Sequence, residues 1–185
     1  MKASRVPSAL RSLYPREVIA RRVQEIAQAL SRRFAGQEPI VIGVLKGAFV
    51  FVADLVREIE IPVKVDFIQA ASYGLATESS GTVRLVKDLG LDIQGQDVIL
   101  VDDILDTGLT LHFIINRLRQ RHPRSLTVCV LVDKCERRQV EVTVDYVGFV
   151  LAEGFVAGYG IDKGEAYRNL DGLYTVESGE TPGRT

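Results

Sequence analysis

The sequence contains no tryptophan, a single methionine and only two cysteines, Cys129 and Cys135. Two cysteines cannot build a disulfide framework, and no zinc-binding spacing is present. No apolar run approaches the roughly 20 residues that a membrane-spanning helix requires, and the polar stretch 1–11 lacks the apolar segment of a signal peptide. We therefore expect a protein of a reducing compartment, the cytoplasm, with no membrane partner.

The chain also lacks an excess of charge of either sign. It carries 23 basic and 24 acidic residues and a formal net charge of -1, so no overall field would attract nucleic acid or an anionic surface. Hydrophobic residues make up 46% and charged residues 25% of the 185 positions, which is typical of a globular protein. We expect a single domain over 1–178 and a disordered tail over 179–185.

Helical periodicity and near-continuous apolar runs alternate along the chain. The predicted helices cover 15–34, 48–59 and 109–121. The predicted strands cover 39–45, 63–70, 83–86, 97–101, 125–132, 140–150 and 155–159. This alternation indicates an α/β fold with a doubly wound, mainly parallel sheet, in which ligands bind beyond the carboxyl ends of the strands. The small and polar residues of 71–82 predict a long loop, of a length that is often a functional lid.

One segment combines an acidic strand end with the start of a helix. Asp102 and Asp103 follow a buried apolar run, and Thr107, Gly108 and Thr110 lie where the next helix begins. A helix N-terminus binds phosphate readily, and glycine lets the backbone approach the anion. The carboxylates suit ribose hydroxyls or hydrated Mg²⁺. The segment therefore predicts a site for a ribose 5-phosphate.

This segment resembles the phosphoribosyl pyrophosphate (PRPP) binding motif of type I phosphoribosyltransferases. Other motifs in order along the chain narrow the resemblance to the hypoxanthine (hypoxanthine-guanine) phosphoribosyltransferases. They are Leu45-Lys46-Gly47, Ser72-Tyr73-Gly74, Asp133-Lys134, the stretch from Phe155 to Asp162, and Tyr167-Arg168-Asn169-Leu170. Many members have Glu at the position of Asp102, and often Pro-Asp where this chain has Ala152-Glu153-Gly154.

The resemblance implies a purine-salvage enzyme that joins hypoxanthine or guanine to PRPP at C1′ and releases pyrophosphate. It implies the type I phosphoribosyltransferase fold, with a small base-binding hood formed by the N-terminal segment and about 150–175. It also implies Mg²⁺ as cofactor, PRPP and 6-oxopurine bases as ligands, and a homodimer or homotetramer.

The resemblance further assigns the acidic segment. Asp106 would be the general base that takes the proton from purine N7, and Asp102 and Asp103 would hold the ribose hydroxyls directly or through Mg²⁺. With Asp162, those two aspartates are the implied metal ligands. The 5′-phosphate would be wrapped by Asp106, Thr107, Gly108, Leu109 and Thr110.

The remaining assignments concern the leaving group, the base and the lid. Pyrophosphate would be held by Leu45, Lys46, Gly47 and Arg168, with a cis peptide bond between Leu45 and Lys46. The base would be bound by Lys134, Gly154, Phe155, Val156 and Asp162; Lys134 would donate to purine O6 and Phe155 would stack on the ring. Because adenine carries an amine in place of that oxygen, it should be rejected. Ser72 and Tyr73 would begin the mobile loop.

Other interpretations remain open at this stage. Thr107 could simply cap a helix, Lys46 and Arg168 could be surface cations, and Phe155 could be a core aromatic residue. At the level of function, the alternatives are a phosphoribosyltransferase for xanthine and a nucleotide-sensing regulator on the same fold. A dinucleotide-binding domain is disfavoured because no strand is followed by Gly-x-Gly-x-x-Gly.

Overall fold

The computed structural model describes residues 10–73 and 82–176 and contains two sheets and three helices there. The helices are α1 (Arg16–Arg33), α2 (Phe49–Glu58) and α3 (Leu109–Arg119). The larger sheet contains β2 (Ile40–Leu45), β3 (Lys64–Tyr73), β4 (Thr82–Lys87), β5 (Asp97–Leu105), β6 (Ser125–Lys134) and β7 (Tyr146–Leu151). The smaller sheet contains β1 (Leu10–Tyr14), β8 (Val156–Ala157) and β9 (Leu173–Val176).

The larger sheet is mainly parallel, as predicted. Its strand order is β4-β3-β2-β5-β6-β7, and only the β3–β4 pair is antiparallel. Alternate residues of β5 enter different cores: Ile99 and Val101 pack with α1 and α2, whereas Val98 and Leu100 pack with α3. A strand covered by helices on both faces must be apolar on both faces, which is why β5 reads as one continuous apolar run.

Helix α1 shows how the sequence pattern produces one of these layers. Ile19, Val23, Ile26 and Leu30 are buried at helical spacing and enter the core that α1 shares with α2. The helix follows Pro15, whose fixed φ suits a helix entry. No helix in the part of the chain that the structure describes is long and apolar enough to cross a membrane.

Several strands run further than their apolar cores predict. β5 continues to Leu105 and β6 to Lys134, because backbone pairing goes on past the apolar residues, from Asp102↔Val130 to Leu105↔Asp133. The loop prediction for 71–82 was wrong at both ends, since β3 reaches Tyr73 and β4 begins at Thr82. The rest of that loop, and the tail 179–185, lie outside the described residues.

The smaller sheet was only partly predicted. β1 and β9 were missed, the β segment predicted over 155–159 shrinks to β8, and that over 140–150 begins only at Tyr146. In the sheet order β1-β9-β8, the two ends of the described chain meet beside Val156. The Tyr14 ring stacks on that of Phe149 at a centroid distance of 4.0 Å, which connects this sheet to the larger one. The result is a small layer adjoining β7.

Candidate active site

The predicted site residues converge at the carboxyl ends of three adjacent parallel strands, β2, β5 and β6. Leu45 ends β2, Leu105 ends β5 and Lys134 ends β6, and the three strands are hydrogen-bonded neighbours. A cleft of about 270 Å³ opens at this edge. Its lining includes Leu45, Asp102, Asp103, Asp106, Thr107, Gly108 and Thr110. This edge is where α/β folds bind ligands.

The start of α3 has a backbone suited to an anion. Gly108 has a φ of 86°, in the left-handed region that glycine adopts without penalty. A side chain there would also be excluded, because a Cβ would lie 2.2 Å from the carbonyl oxygen of Val140. The Leu109 N–H lies 3.4 Å from Thr107 Oγ1, a long contact for a helix cap. The first turn of a helix directs its N–H groups outward, towards a bound anion.

Asp102, which is buried, and Asp103, which is half-buried, form a carboxylate pair at the cleft. Asp102 is only 6% exposed and lies within β5, not in a surface turn. Burial raises the pKa of both carboxyls, and the charge of Asp103 raises that of Asp102 further. For Asp103, hydrogen bonding with Asp102 and the charge of Arg168 partly oppose that rise. Perturbed carboxyls in a cleft are typical of functional sites.

The same pair could hold a divalent cation. Among the described residues, no basic side chain forms an ion pair with either carboxylate, and oxygen ligands of this kind suit Mg²⁺. The Asp103 carboxylate lies against Gly47, where a Cβ would be 1.9 Å from Oδ2. Asp162 fits less simply, because one of its oxygens accepts from Arg168 at 2.6 Å and the other from the Glu165 N–H at 2.8 Å.

Asp106 presents an unsatisfied acceptor next to a buried lysine. Its Oδ1 is buried and has no hydrogen-bond partner among residues 10–73 and 82–176, but it lies 3.8 Å from Lys134 Nζ, while Oδ2 lies 3.6 Å from Arg137 Nη1. Lys134 is 6% exposed and also pairs with Glu136 at 3.2 Å. The Asp106 carboxylate, an acceptor, and the buried Lys134 ammonium, a donor, therefore lie side by side. A ligand that carries both a donor and an acceptor could bind to the two together.

The segment after β2 meets the loop after β8. The Leu45–Lys46 peptide bond is cis, as the resemblance implies. Lys46 Nζ pairs with Glu165 at 3.1 Å. Arg168 Nη1 donates to the Gly160 carbonyl at 2.9 Å, and its side chain is 19% exposed. Neither cation is therefore an isolated surface residue.

Three of the candidate base-binding residues, Gly154, Phe155 and Val156, occupy β8 and the loop before it. Phe155 is 45% exposed, so the interpretation as a core aromatic residue was wrong, and Lys163 Nζ lies 5.6 Å from its ring centroid. The Gly154 N–H donates to Glu136 at 3.3 Å, and Val156 is buried in β8. Ser72 and Tyr73 end β3, further along the same sheet.

Sequence reasoning missed four charged residues at this site: Glu136, Arg137, Arg138 and Glu165. Arg138 donates to the carbonyls of Asp106 at 2.9 Å and Leu105 at 3.3 Å and also binds Asp133, which ties the ends of β5 and β6 together. The run Glu136-Arg137-Arg138 begins one residue after the Asp133-Lys134 motif. Three successive charged residues so close to the motif were the available signal that this run belongs to the site.

A larger cavity of about 580 Å³ lies between α1, α2 and the loop that carries Tyr159. Its surface is mostly apolar and includes Val23 and Phe49. The Tyr159 hydroxyl beside it donates to Asp54 at 2.5 Å. The smaller cleft is the better candidate site despite its size, because it alone of the two joins the carboxylate pair to the start of α3.

Comparison with known proteins assigns the family. The phosphoribosyl transferase domain family matches residues 10–163. The hypoxanthine-guanine phosphoribosyltransferase of Aquifex aeolicus is 50% identical over 169 residues, covering 91% of this chain and 95% of that protein. The enzyme of the same name from Mycobacterium avium is 44% identical, covering 87% and 82%.

Solved structures agree with these relatives. The hypoxanthine-guanine phosphoribosyltransferase of Bacillus anthracis is 48% identical with a TM-score of 0.85, covering 90% of this chain and 98% of that one. The hypoxanthine phosphoribosyltransferase of Staphylococcus aureus is 36% identical with a TM-score of 0.90, covering 96% and 97%. The resemblance read from the motifs is thereby confirmed: the chain belongs to the phosphoribosyltransferase family, among its hypoxanthine and hypoxanthine-guanine phosphoribosyltransferases.

Proposed function

We propose that the chain transfers the 5-phosphoribosyl group of PRPP to hypoxanthine or guanine, giving IMP or GMP and pyrophosphate. The observation that carries this proposal is the convergence, in one cleft, of the Asp102–Asp103 pair, Asp106 and the start of α3, with Lys134 beside Asp106. The names of the relatives favour this reaction over a xanthine-specific transferase or a nucleotide-sensing regulator.

The sugar phosphate would lie along the end of β5. Its 5′-phosphate would rest on the backbone from Asp106 to Thr110, where the left-handed φ of Gly108 turns the chain into α3. The ribose hydroxyls would face Asp102 and Asp103, whose pKa values are raised chiefly by burial. Mg²⁺ bound there with PRPP would offset the charge of the pyrophosphate leaving group.

The transfer itself makes one bond and breaks another. The N9–C1′ bond forms as the bond from C1′ to the pyrophosphate oxygen breaks, through a transition state with oxocarbenium character. The proton on purine N7 passes to the Asp106 carboxylate, whose Oδ1 accepts no hydrogen bond from the part of the chain that the structure describes. The departing pyrophosphate would be held by the backbone of Leu45 and Gly47 and by Lys46 and Arg168.

The purine base would be recognised both at its edge and on the face of its ring. Lys134 would donate to the 6-oxo oxygen, the exposed ring of Phe155 would stack on the purine, and the backbone of Gly154 and Val156 would contact its edge. Asp162 would lie at the junction of base and pyrophosphate sites, where it orients Arg168. The segment opened by Ser72 and Tyr73 would close over the site and exclude water from the reactive sugar.

We further propose a cytoplasmic enzyme that works as a homodimer or homotetramer. The balanced charge of the chain favours small-molecule ligands over nucleic acid or membranes. Val18 on α1 and Phe49 on α2 are large apolar residues left 41% and 44% exposed in the single chain, and a second copy bound at these helices would cover them.

Replacement Asp106→Asn tests the general base. The amide keeps the size of the side chain but cannot take a proton, so kcat for IMP formation should fall about 10²- to 10⁴-fold. Initial rates with PRPP, Mg²⁺ and hypoxanthine measure this. The matched control is Asp92→Asn, an exposed aspartate in the loop before β5, which should keep wild-type rates. A kcat for Asp106→Asn within twofold of wild type would exclude the role.

Replacement Lys134→Gln tests how the base is chosen. Loss of a charged donor to the 6-oxo group should lower kcat/KM for hypoxanthine by about 10- to 150-fold. Because adenine gains nothing from Lys134, the ratio of hypoxanthine to adenine turnover should shrink. Lys64→Gln, which removes a lysine from the far end of β3, is the control. An unchanged ratio would mean that another group reads the 6-position.

Replacement Asp102→Asn tests whether the ionised Asp102 carboxylate destabilises the fold. A carboxyl whose folded-state pKa is raised stabilises the fold fully below its unfolded pKa of about 3.9, and that contribution is lost as pH rises through the folded pKa. At pH 7.5 the variant, which cannot ionise, should therefore melt about 2–4 °C higher for each kcal/mol gained, while its activity falls.

The pH dependence of melting separates this effect from a simple packing change. The gain in melting temperature should shrink as pH is lowered towards 4, because Asp102 of the wild type then becomes protonated. Addition of PRPP with Mg²⁺ should stabilise the wild type more than the variant. A variant that melts below the wild type at every pH would contradict this account.

A further inference from the structure

Glu165 lies between the two cations to which the proposed function assigns pyrophosphate. Its Oε1 is 3.1 Å from Lys46 Nζ and its Oε2 is 3.2 Å from Arg168 Nη2. Lys46 follows β2 and Arg168 belongs to the loop after β8, so one carboxylate connects two distant segments. The hydrogen bonds from Lys46 and then Arg168 lower the pKa of Glu165, which keeps it charged.

The backbone directs this carboxylate at the cations. Glu165 has a φ of 66° and follows Gly164 at 60°, so the turn is left-handed at two successive residues. The Glu165 N–H donates to Asp162 Oδ2 at 2.8 Å, and Lys163 and Ala166 exchange backbone hydrogen bonds at 3.2 Å across the turn. The position of the side chain is therefore set by the turn, although it stays 67% exposed.

The charges at this point are balanced before any ligand arrives. Lys46 and Arg168 supply two positive charges, and Asp162 and Glu165 supply two negative ones. Of the two cations, Asp162 pairs with Arg168 alone in the described part of the chain, and the arginine of that short pair is mostly buried. Glu165 contacts both cations through its two carboxylate oxygens, which are anionic acceptors as the oxygens of a phosphate group are. A pyrophosphate bound there would meet a carboxylate of like charge.

We propose that Glu165 is an internal counter-anion, which occupies Lys46 and Arg168 in the free enzyme and is displaced when PRPP or pyrophosphate binds. The proposal rests on the pyrophosphate assignment of the proposed function. Exposed ion pairs are weak, so displacement costs little, but the carboxylate returns when pyrophosphate dissociates. Glu165 thus weakens pyrophosphate binding and favours its release, which makes it a residue that tunes affinity rather than a catalytic residue.

Calorimetric titration of inorganic pyrophosphate in excess Mg²⁺ tests this role. Glu165→Gln keeps the shape of the side chain and removes its charge, so the Kd for pyrophosphate should fall roughly three- to tenfold. The matched control is Glu38→Gln. It breaks an exposed pair with Lys64 of 2.9 Å at the opposite end of β2, roughly 20 Å away, and should leave the Kd unchanged.

The direction in which the Kd for pyrophosphate changes shows whether Glu165 competes with pyrophosphate or helps to bind it. If Glu165 instead organised the two cations, its replacement would weaken pyrophosphate binding, and an equal or higher Kd for Glu165→Gln overturns the inference. Lys46→Gln and Arg168→Gln should each raise the Kd. If both leave it unchanged, the pyrophosphate assignment fails and the inference with it. If they raise it while Glu165→Gln does not lower it, only the inference fails.

Discussion

The arrangement of the site depends on one constraint, which is the continuation of the β5 ladder beyond its apolar run. Asp102 pairs with Val130 in the same register that aligns Val98 with Leu126. That pairing carries Asp102 into a buried position and leaves Asp103 half-buried beside it, and burial raises the pKa of both. At these residues β5 has passed the end of its pairing with β2 and is held by β6. The cost of their burial is reduced only when a cation or hydroxyl groups face them.

Each cation assigned to a substrate has an acidic partner within the protein. Lys134 pairs with Glu136, Arg168 with Asp162, and Lys46 with Glu165. Such pairs orient the three cations in the absence of ligand. They also mean that substrate binding exchanges one set of ion pairs for another. Under these assignments, ligand affinity is a difference between the ion pairs made with the ligand and those made within the protein, so the acidic partners influence it too.

The layers of the fold follow from local patterns, and the ends of its strands do not. The periodicity of Ile19, Val23 and Leu30 predicts α1, and the apolar run of β5 predicts a strand covered on both faces. β1 and β9 are two short strands that pair across nearly the whole chain, from Leu10 to Val176. Neither contains an alternation strong enough to predict it, because their stability comes from that distant pairing.

The candidate site could likewise be predicted only where its residues belong to local motifs, and not where they depend on distant contacts. The motifs around Asp106 and Lys134 identify chemistry through residue types, so they could be read from the sequence. Arg138 and Glu165 act through contacts with segments 32 and 119 residues away, and no local pattern predicts such contacts. The exposure of Phe155 and the burial of Asp102 likewise depend on the packing of the whole sheet.

The central claim is that the end of β5 and the start of α3 bind a ribose 5-phosphate, and a crystal structure with IMP tests it most directly. The account predicts phosphate oxygens within about 3.2 Å of backbone N–H groups between Thr107 and Thr110, with the ribose hydroxyls facing Asp102 and Asp103. Density for IMP in the larger cavity beside Tyr159, with the cleft at β5 empty, would contradict it.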